Sequence, residues 1–159
     1  MRQLGPSDGV GRVVDLAGGH GLLAHIMLLL DDTSPSALAV DVSLPPSAPA
    51  LAAVLVEEWP RLRGRIELAS RPLEQVDLAP SDVVVSSHAC GALTDAVLDR
   101  AASARARVAV LPCCHHLHDG RDASLEGWLD GPLAMDVELA VRLRARGYAV
   151  HARTIPADV

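Results

Sequence analysis

The chain has 159 residues, half of them hydrophobic, and its 14 basic residues are all arginine, with no lysine, against 20 acids for a net charge of −6. That is enough chain to bury roughly two thirds of its unfolded surface in one core, which excludes wholesale disorder and predicts a single domain over 1–159. An acidic chain with no Phe, one Tyr and two Trp is poorly equipped to grip nucleic acid unaided, and its apolar runs, such as 26–30, are far too short to cross a bilayer.

Apolar runs of strand length alternate with stretches of helical spacing. Residues 12–17 read as a first strand and 21–30 as the helix behind it. A second strand follows at 37–41. The next helix, at 48–59, is entered through Pro45-Pro46-Ser47, with proline where a helix start tolerates it. Residues 65–69 read as a third strand and 82–87, rich in valine, as a buried fourth. A helix at 94–104 carries Asp95 in its first turn, where a carboxylate suits the positive helix end. The fifth strand is 107–111, closed by Pro112. A long loop over 113–131 leads to a helix at 132–146 stopped by Gly147, and 148–155 reads as a last strand. The arginines at 61, 63 and 65, and at 142, 144 and 146, read as solvated helix faces. Alternation of this kind predicts an α/β fold, a doubly wound and mostly parallel sheet of the Rossmann-like type.

Ligands of open parallel sheets bind beyond the carboxyl ends of the strands, where the strand order reverses. Every unusual residue of this chain falls at such an end. Asp15-Leu16-Ala17-Gly18-Gly19-His20-Gly21 follows strand one, and Asp41 closes strand two, twenty residues after Gly21. His88-Ala89-Cys90-Gly91 follows strand four, and Cys113-Cys114-His115-His116 follows strand five. Glycines allow a tight turn and close approach to a ligand, and the acid can hold two ribose hydroxyls. Nicotinamide dinucleotides and S-adenosylmethionine both fit this layout. The phosphate-binding spelling G-x-G-x-x-G is missing, and an acid opening the turn suits a cofactor with an amino-acid cation and no pyrophosphate.

Thiolates and imidazoles at 88, 90 and 113–116 make a tetrahedral zinc set chemically possible. There is no C-x-x-C pair, contiguous ligands wrap one ion poorly, and no metal ligand is predicted. The three cysteines do not resemble a disulfide framework. With no signal-peptide pattern, a reducing cytoplasm is the expected compartment.

The blocks Ser87-His88-Ala89-Cys90-Gly91-Ala92-Leu93-Thr94-Asp95 and Leu111-Pro112-Cys113-Cys114-His115-His116 resemble a branch of the class I S-adenosylmethionine-dependent methyltransferases. That branch includes a bacterial methyltransferase-like domain and the eukaryotic tRNA ribose 2′-O-methyltransferases of the acceptor stem. The resemblance implies S-adenosylmethionine as cofactor. It places Asp15, Ala17, Gly18, Gly19, Gly21 and Ser87 around the cofactor, with Asp41 on its ribose. His88, Asp95, His115 and His116 would face the methyl-transfer cleft, a histidine there serving as base for a hydroxyl or amine. Ala17 stands where many relatives have the first glycine of the turn, and Ser87 where the tRNA enzymes tend to have lysine. The zinc-finger regions of those enzymes are missing, as is the Asn-Pro-Pro-Tyr motif of amino-directed enzymes. The implied acceptor is an oxygen or similar nucleophile on RNA, making RNA modification one possible role, or on a small molecule, with no membrane involved. Six strands are read where such sheets carry seven, so the fold is expected to be shortened at its C-terminal strand, with a partner chain or second copy covering the sheet edge. A non-catalytic cofactor-binding subunit, a Cys/His metal module and a nicotinamide-dependent oxidoreductase are the competing readings.

Overall fold

Successive residues of a strand point to opposite faces of its sheet, and the first strand shows what that dictates here. The computed structural model describes residues 11–87, 89–112, 125 and 127–154. In β1 (Val13–Leu16) all four residues are buried, as both faces of a parallel sheet demand. Val14 and Leu16 pack with Leu38, Val40, Val84, Val97 and Ala101 on one face. Val13 packs with Ala24, Leu28, Ala37, Ala39 and Val85 on the other.

The chain divides into two compact units, residues 1–114 and 115–159. The first runs β1, α1 (Leu22–Leu30), β2 (Ala37–Asp41), α2 (Ala48–Glu58), β3 (Ile66–Ser70), β4 (Val83–Ser87), α3 (Ala92–Ala104) and β5 (Arg107–Leu111). Among the described residues its sheet has five strands in the order β3-β2-β1-β4-β5, every neighbouring pair parallel. The fold is therefore α/β and Rossmann-like, as expected. The helices supply the two covers: α1 carries Ala24 and Leu28 to one face, and α3 carries Val97 and Ala101 to the other. The strand order reverses between β1 and β4, which opens a crevice at their carboxyl ends.

Local chemistry sets the helix ends. α1 has no capping side chain at Gly21; instead the Asp15 carboxylate, reaching up from β1, accepts the Ala24 N–H at 3.3 Å. α3 ends at Arg105, which takes the left-handed conformation with φ +56°. The loop between α1 and β2 is tied by Asp32, which receives Arg61 at 2.7 Å and Arg65 at 3.3 Å. Two of the arginines read as a solvated face are thus engaged with an acid.

In the second unit α4 (Gly131–Ala145) is capped by Asp130, whose side chain accepts the Leu133 N–H. It ends with Arg142 and Arg144 in its last turn and Gly147 at φ +88°. The strand read at 148–155 is not formed: residues 148–154 have no regular structure, and 155 lies outside the described residues. A run of strand-forming residues is not sufficient for a strand, because strand hydrogen bonds exist only between partners. The other elements begin and end within two residues of their predicted bounds, 37–41 and 107–111 without change. No helix among the described residues is long and apolar enough to cross a membrane.

Candidate functional site

Three left-handed residues in five positions shape the turn after β1: Ala17 at φ +57°, Gly19 at φ +52° and Gly21 at φ +73°. Gly21 sits where a Cβ would lie 2.8 Å from Leu68 Cδ2 and 2.9 Å from the Ala39 Cβ. Its bare backbone lets α1 start close against β2 and β3. Gly18 is as tightly confined, a Cβ there falling 2.8 Å from the Asp15 carboxyl group. Around Gly19 there is open space.

Asp41 braces this turn. The Gly19 N–H donates to Asp41 Oδ2 at 3.0 Å, and the Ser43 N–H to Oδ1 at 3.1 Å. The Gly18 N–H adds a bond to the Val40 carbonyl. Each carboxylate oxygen can accept two hydrogen bonds, so both keep capacity for a ligand hydroxyl. The acid is fixed and still receptive.

Two cavities meet at the turn. The larger, about 500 Å³, has Ala17, Gly18, Gly19 and Ser87 on the sheet side and Leu22 and Ile26 of α1 on the other. The smaller, about 100 Å³, is walled by Ala17, Asp41, Val42, Arg71, Leu73 and Leu93. His20 also lines the larger cavity, and its Nε2 is 2.8 Å from the Ser47 hydroxyl.

Asp15 lies beneath the turn, only 1% exposed. Burial pushes its pKa from the usual 3.8 up to about 6; the Ala24 N–H opposes this and the nearby Asp41 charge adds to it. Its Oδ1 is buried without a hydrogen-bond partner. A carboxyl group so placed responds to any positive charge brought to the turn.

Of the residues expected at the site, Ala17, Gly18, Gly19, Asp41 and Ser87 come together around the two cavities. Asp15 and Gly21 support the turn from below and line neither cavity. Asp95 lies in the first turn of α3. His88, Cys113, Cys114, His115 and His116 lie outside the described residues. Among the described residues no group of three His, Cys, Asp or Glu is placed to hold a metal ion. Sequence reasoning passed over His20, Arg71, Leu73 and Leu93. Arg71 had a usable signal, since it directly follows β3 on the same rim.

Comparison with known proteins agrees with this architecture. Residues 1–120 match the family model described as a methyltransferase domain, and the chain belongs to that family. S-adenosylmethionine is the family's methyl donor. No curated protein matches the chain in sequence. Among solved structures it is similar to an O-methyltransferase family protein from Burkholderia thailandensis, at 20% identity and a TM-score of 0.58, over 96% of this chain and 50% of that one. It is also similar to a SAM-dependent methyltransferase from Aquifex aeolicus, at 16% identity and a TM-score of 0.52, over 91% and 77% of the two chains. The antibiotic-resistance methyltransferase Kmr gives 17% identity and a TM-score of 0.50, over 96% and 85%. These likenesses show a shared fold. The chain spans half the length of the Burkholderia protein.

Proposed function

From membership of the methyltransferase-domain family we propose that this chain binds S-adenosylmethionine across the β1–β4 crevice and transfers its methyl group to an oxygen or similar nucleophile. The observation that carries the reading is the Gly19–Asp41 hydrogen bond, which joins the glycine turn and the ribose-type acid into one braced unit at the switch point. The residues fit such a group: open space at Gly19, capacity on both oxygens of Asp41, and an orphaned carboxyl oxygen on Asp15.

Bound there, S-adenosylmethionine would supply an electrophilic methyl group on a sulfonium. Asp41 holds the two ribose hydroxyls and so fixes the nucleoside end. Gly18 and Gly19 let the backbone approach the amino-acid end, and Asp15 beneath them supplies negative charge toward its cation. Ser87, which lines the larger cavity from the end of β4, would contribute to the same end. Methyl transfer needs mainly in-line positioning, so the demand on acid–base groups is modest. His88, Asp95, His115 and His116 are the candidates to take the acceptor's proton, a histidine being best matched to neutral pH. The acceptor is proposed as an RNA ribose hydroxyl, in keeping with the signature blocks, or a small-molecule hydroxyl. The cytoplasm is the proposed compartment. β5 is an edge strand with Arg107, Ala109 and Leu111 exposed, and unpaired edges call for cover; a second copy or a partner chain is proposed there.

Isothermal titration with S-adenosylmethionine, S-adenosylhomocysteine and NADH tests the cofactor. Binding of the first two and not the third is expected, and Asp41→Ala should weaken both by about 10- to 100-fold through lost hydrogen bonds to a charged acceptor. Absence of binding by the wild type removes the proposal, and unchanged affinity in Asp41→Ala removes the role of the acid. Methyl labelling of total RNA against a small-metabolite extract separates the two acceptor classes.

A further inference from the structure

The helix α1 reads Leu-Leu-Ala-His-Ile-Met-Leu-Leu-Leu. It carries no acid and no arginine, whereas α3 and α4 carry both along their length. Its single polar residue, His25, is buried, with Nδ1 2.7 Å from the Gly21 carbonyl oxygen. A helix that is apolar all round belongs inside a protein, and one side of α1 does not lie inside this one. Ala24 and Leu28 pack against the sheet, while Leu22, Ile26 and Leu30 stand 45%, 39% and 80% exposed. Spaced four apart, these three make one continuous ridge about 12 Å long. The ridge begins at the site, because Leu22 and Ile26 also line the larger cavity.

The ridge is complementary to a second copy of itself. Leu22-Ile26-Leu30 is a palindrome, so a two-fold axis through Ile26 sets Leu22 of one copy against Leu30 of the other, as an isologous contact requires. Rows of residues four apart are also what interdigitates when two helices pack. The ends match in charge. α1 has no acid in its first turn and no base in its last, and the exposed Asp31 directly follows Leu30. Antiparallel pairing brings the Asp31 carboxylate of each copy to the positive helix end of the other. Exposed apolar patches on monomers reach about 300–600 Å². One such patch from each copy gives at most about 1,200 Å², the low end of specific interfaces. The contact expected is a reversible dimer with a micromolar dissociation constant.

We propose that the outer face of α1 is a homodimer surface, two copies pairing antiparallel through Leu22, Ile26 and Leu30 about an axis at Ile26. This is a different surface from the β5 edge. The partner's Leu30 meets Leu22 at the lip of the larger cavity, so each copy supplies part of the other's cavity wall. The pairing holds whatever ligand that cavity takes.

The test needs no ligand and no turnover. Analytical ultracentrifugation of the whole chain from about 1 to 300 µM should show the wild type passing from monomer to dimer. Leu30→Lys should stay monomeric. The position is 80% exposed and a cation suits the last turn of its own helix, but that cation meets the positive helix end of the partner. Register is read with single cysteines and a short bis-maleimide, each scored against the wild type to allow for its own three cysteines. Ile26→Cys should cross-link with itself. Leu22→Cys and Leu30→Cys should each cross-link poorly alone and strongly when mixed. A chain that is monomeric throughout overturns the proposal and leaves the face to a different occupant. A dimer that persists in Leu30→Lys overturns it by placing the contact elsewhere, such as the β5 edge. Self-linking of Leu22→Cys or Leu30→Cys, with no gain on mixing, overturns the antiparallel pairing. The cysteine series stands by itself should Leu30→Lys fail to fold.

Discussion

Asp15 makes the stability of this fold depend on pH in a calculable way. Its carboxyl group has a pKa raised from 3.8 to about 6 in the folded chain, with burial as the main cause. The neutral form is the one the fold prefers. Its contribution is therefore fully present below pH 3.8 and is lost as pH rises through about 6, where the buried group is forced to ionise. A displacement of that size corresponds to about 3 kcal/mol. Asp15→Asn removes the titration while keeping an oxygen to accept the Ala24 N–H. Urea unfolding of both proteins between pH 4 and pH 8 measures the effect as a double difference. Carboxylates common to both proteins cancel, as does any fixed offset from the asparagine itself. Between those limits the wild type should lose about 2.4 kcal/mol more than Asp15→Asn, the rest of the effect falling below pH 4. Parallel pH profiles for the two proteins would refute the reasoning and show that Asp15 titrates alike in the folded and unfolded chains.

Two glycines of the turn should behave differently. Gly21→Ala adds a left-handed alanine and a Cβ within 2.9 Å of two side chains, so a loss of about 3 kcal/mol is expected by urea unfolding. Gly19→Ala meets only open space and should cost about 1 kcal/mol from the backbone alone; equal losses would mean that crowding at Gly21 is unimportant. Arg105, left-handed at the end of α3, should become more stable as Arg105→Gly, by about 0.5–1 kcal/mol once the added freedom of the unfolded chain is set against the relieved strain. A lower melting temperature for that variant would contradict the assigned conformation.

How much of this was legible in the sequence follows from what a linear pattern encodes. The order of β1 to β5 with their helices was readable because each strand is a short apolar run bounded by turn residues, and parallel strands need both faces buried. The convergence of Asp41 and Gly19 was readable because the end of a parallel strand has a fixed rim. The side of β1 on which Asp15 lies was also encoded, since it shares parity with Val13, which packs under α1. The depth of its burial was not, because that depends on how closely Gly18 and Gly21 let the helix descend. Arg71 belongs to no glycine, histidine or cysteine motif, and its one signal was its place directly after β3 on the rim. The strand read at 148–155 shows the opposite error. Strand-forming residues were present, but pairing is a property of two segments and no single-segment pattern contains it.

The two carboxylates bear on which cofactor the turn accepts. Asp15 and Asp41 lie on either side of Gly18 and Gly19, close enough for the charge of one to raise the pKa of the other. A pyrophosphate brought to this turn would add negative charge to a site that already resists its second ionisation, and the turn offers no arginine of its own to offset it. A ligand carrying an ammonium and a sulfonium does the reverse, favouring the ionised form of Asp15 and relieving its repulsion with Asp41. A dinucleotide could still use Asp41 on its ribose but would meet Asp15 as an obstacle, whereas under the proposed reading both carboxylates favour S-adenosylmethionine. Charge, more than the spelling of the glycines, is what separates the two cofactors in this fold.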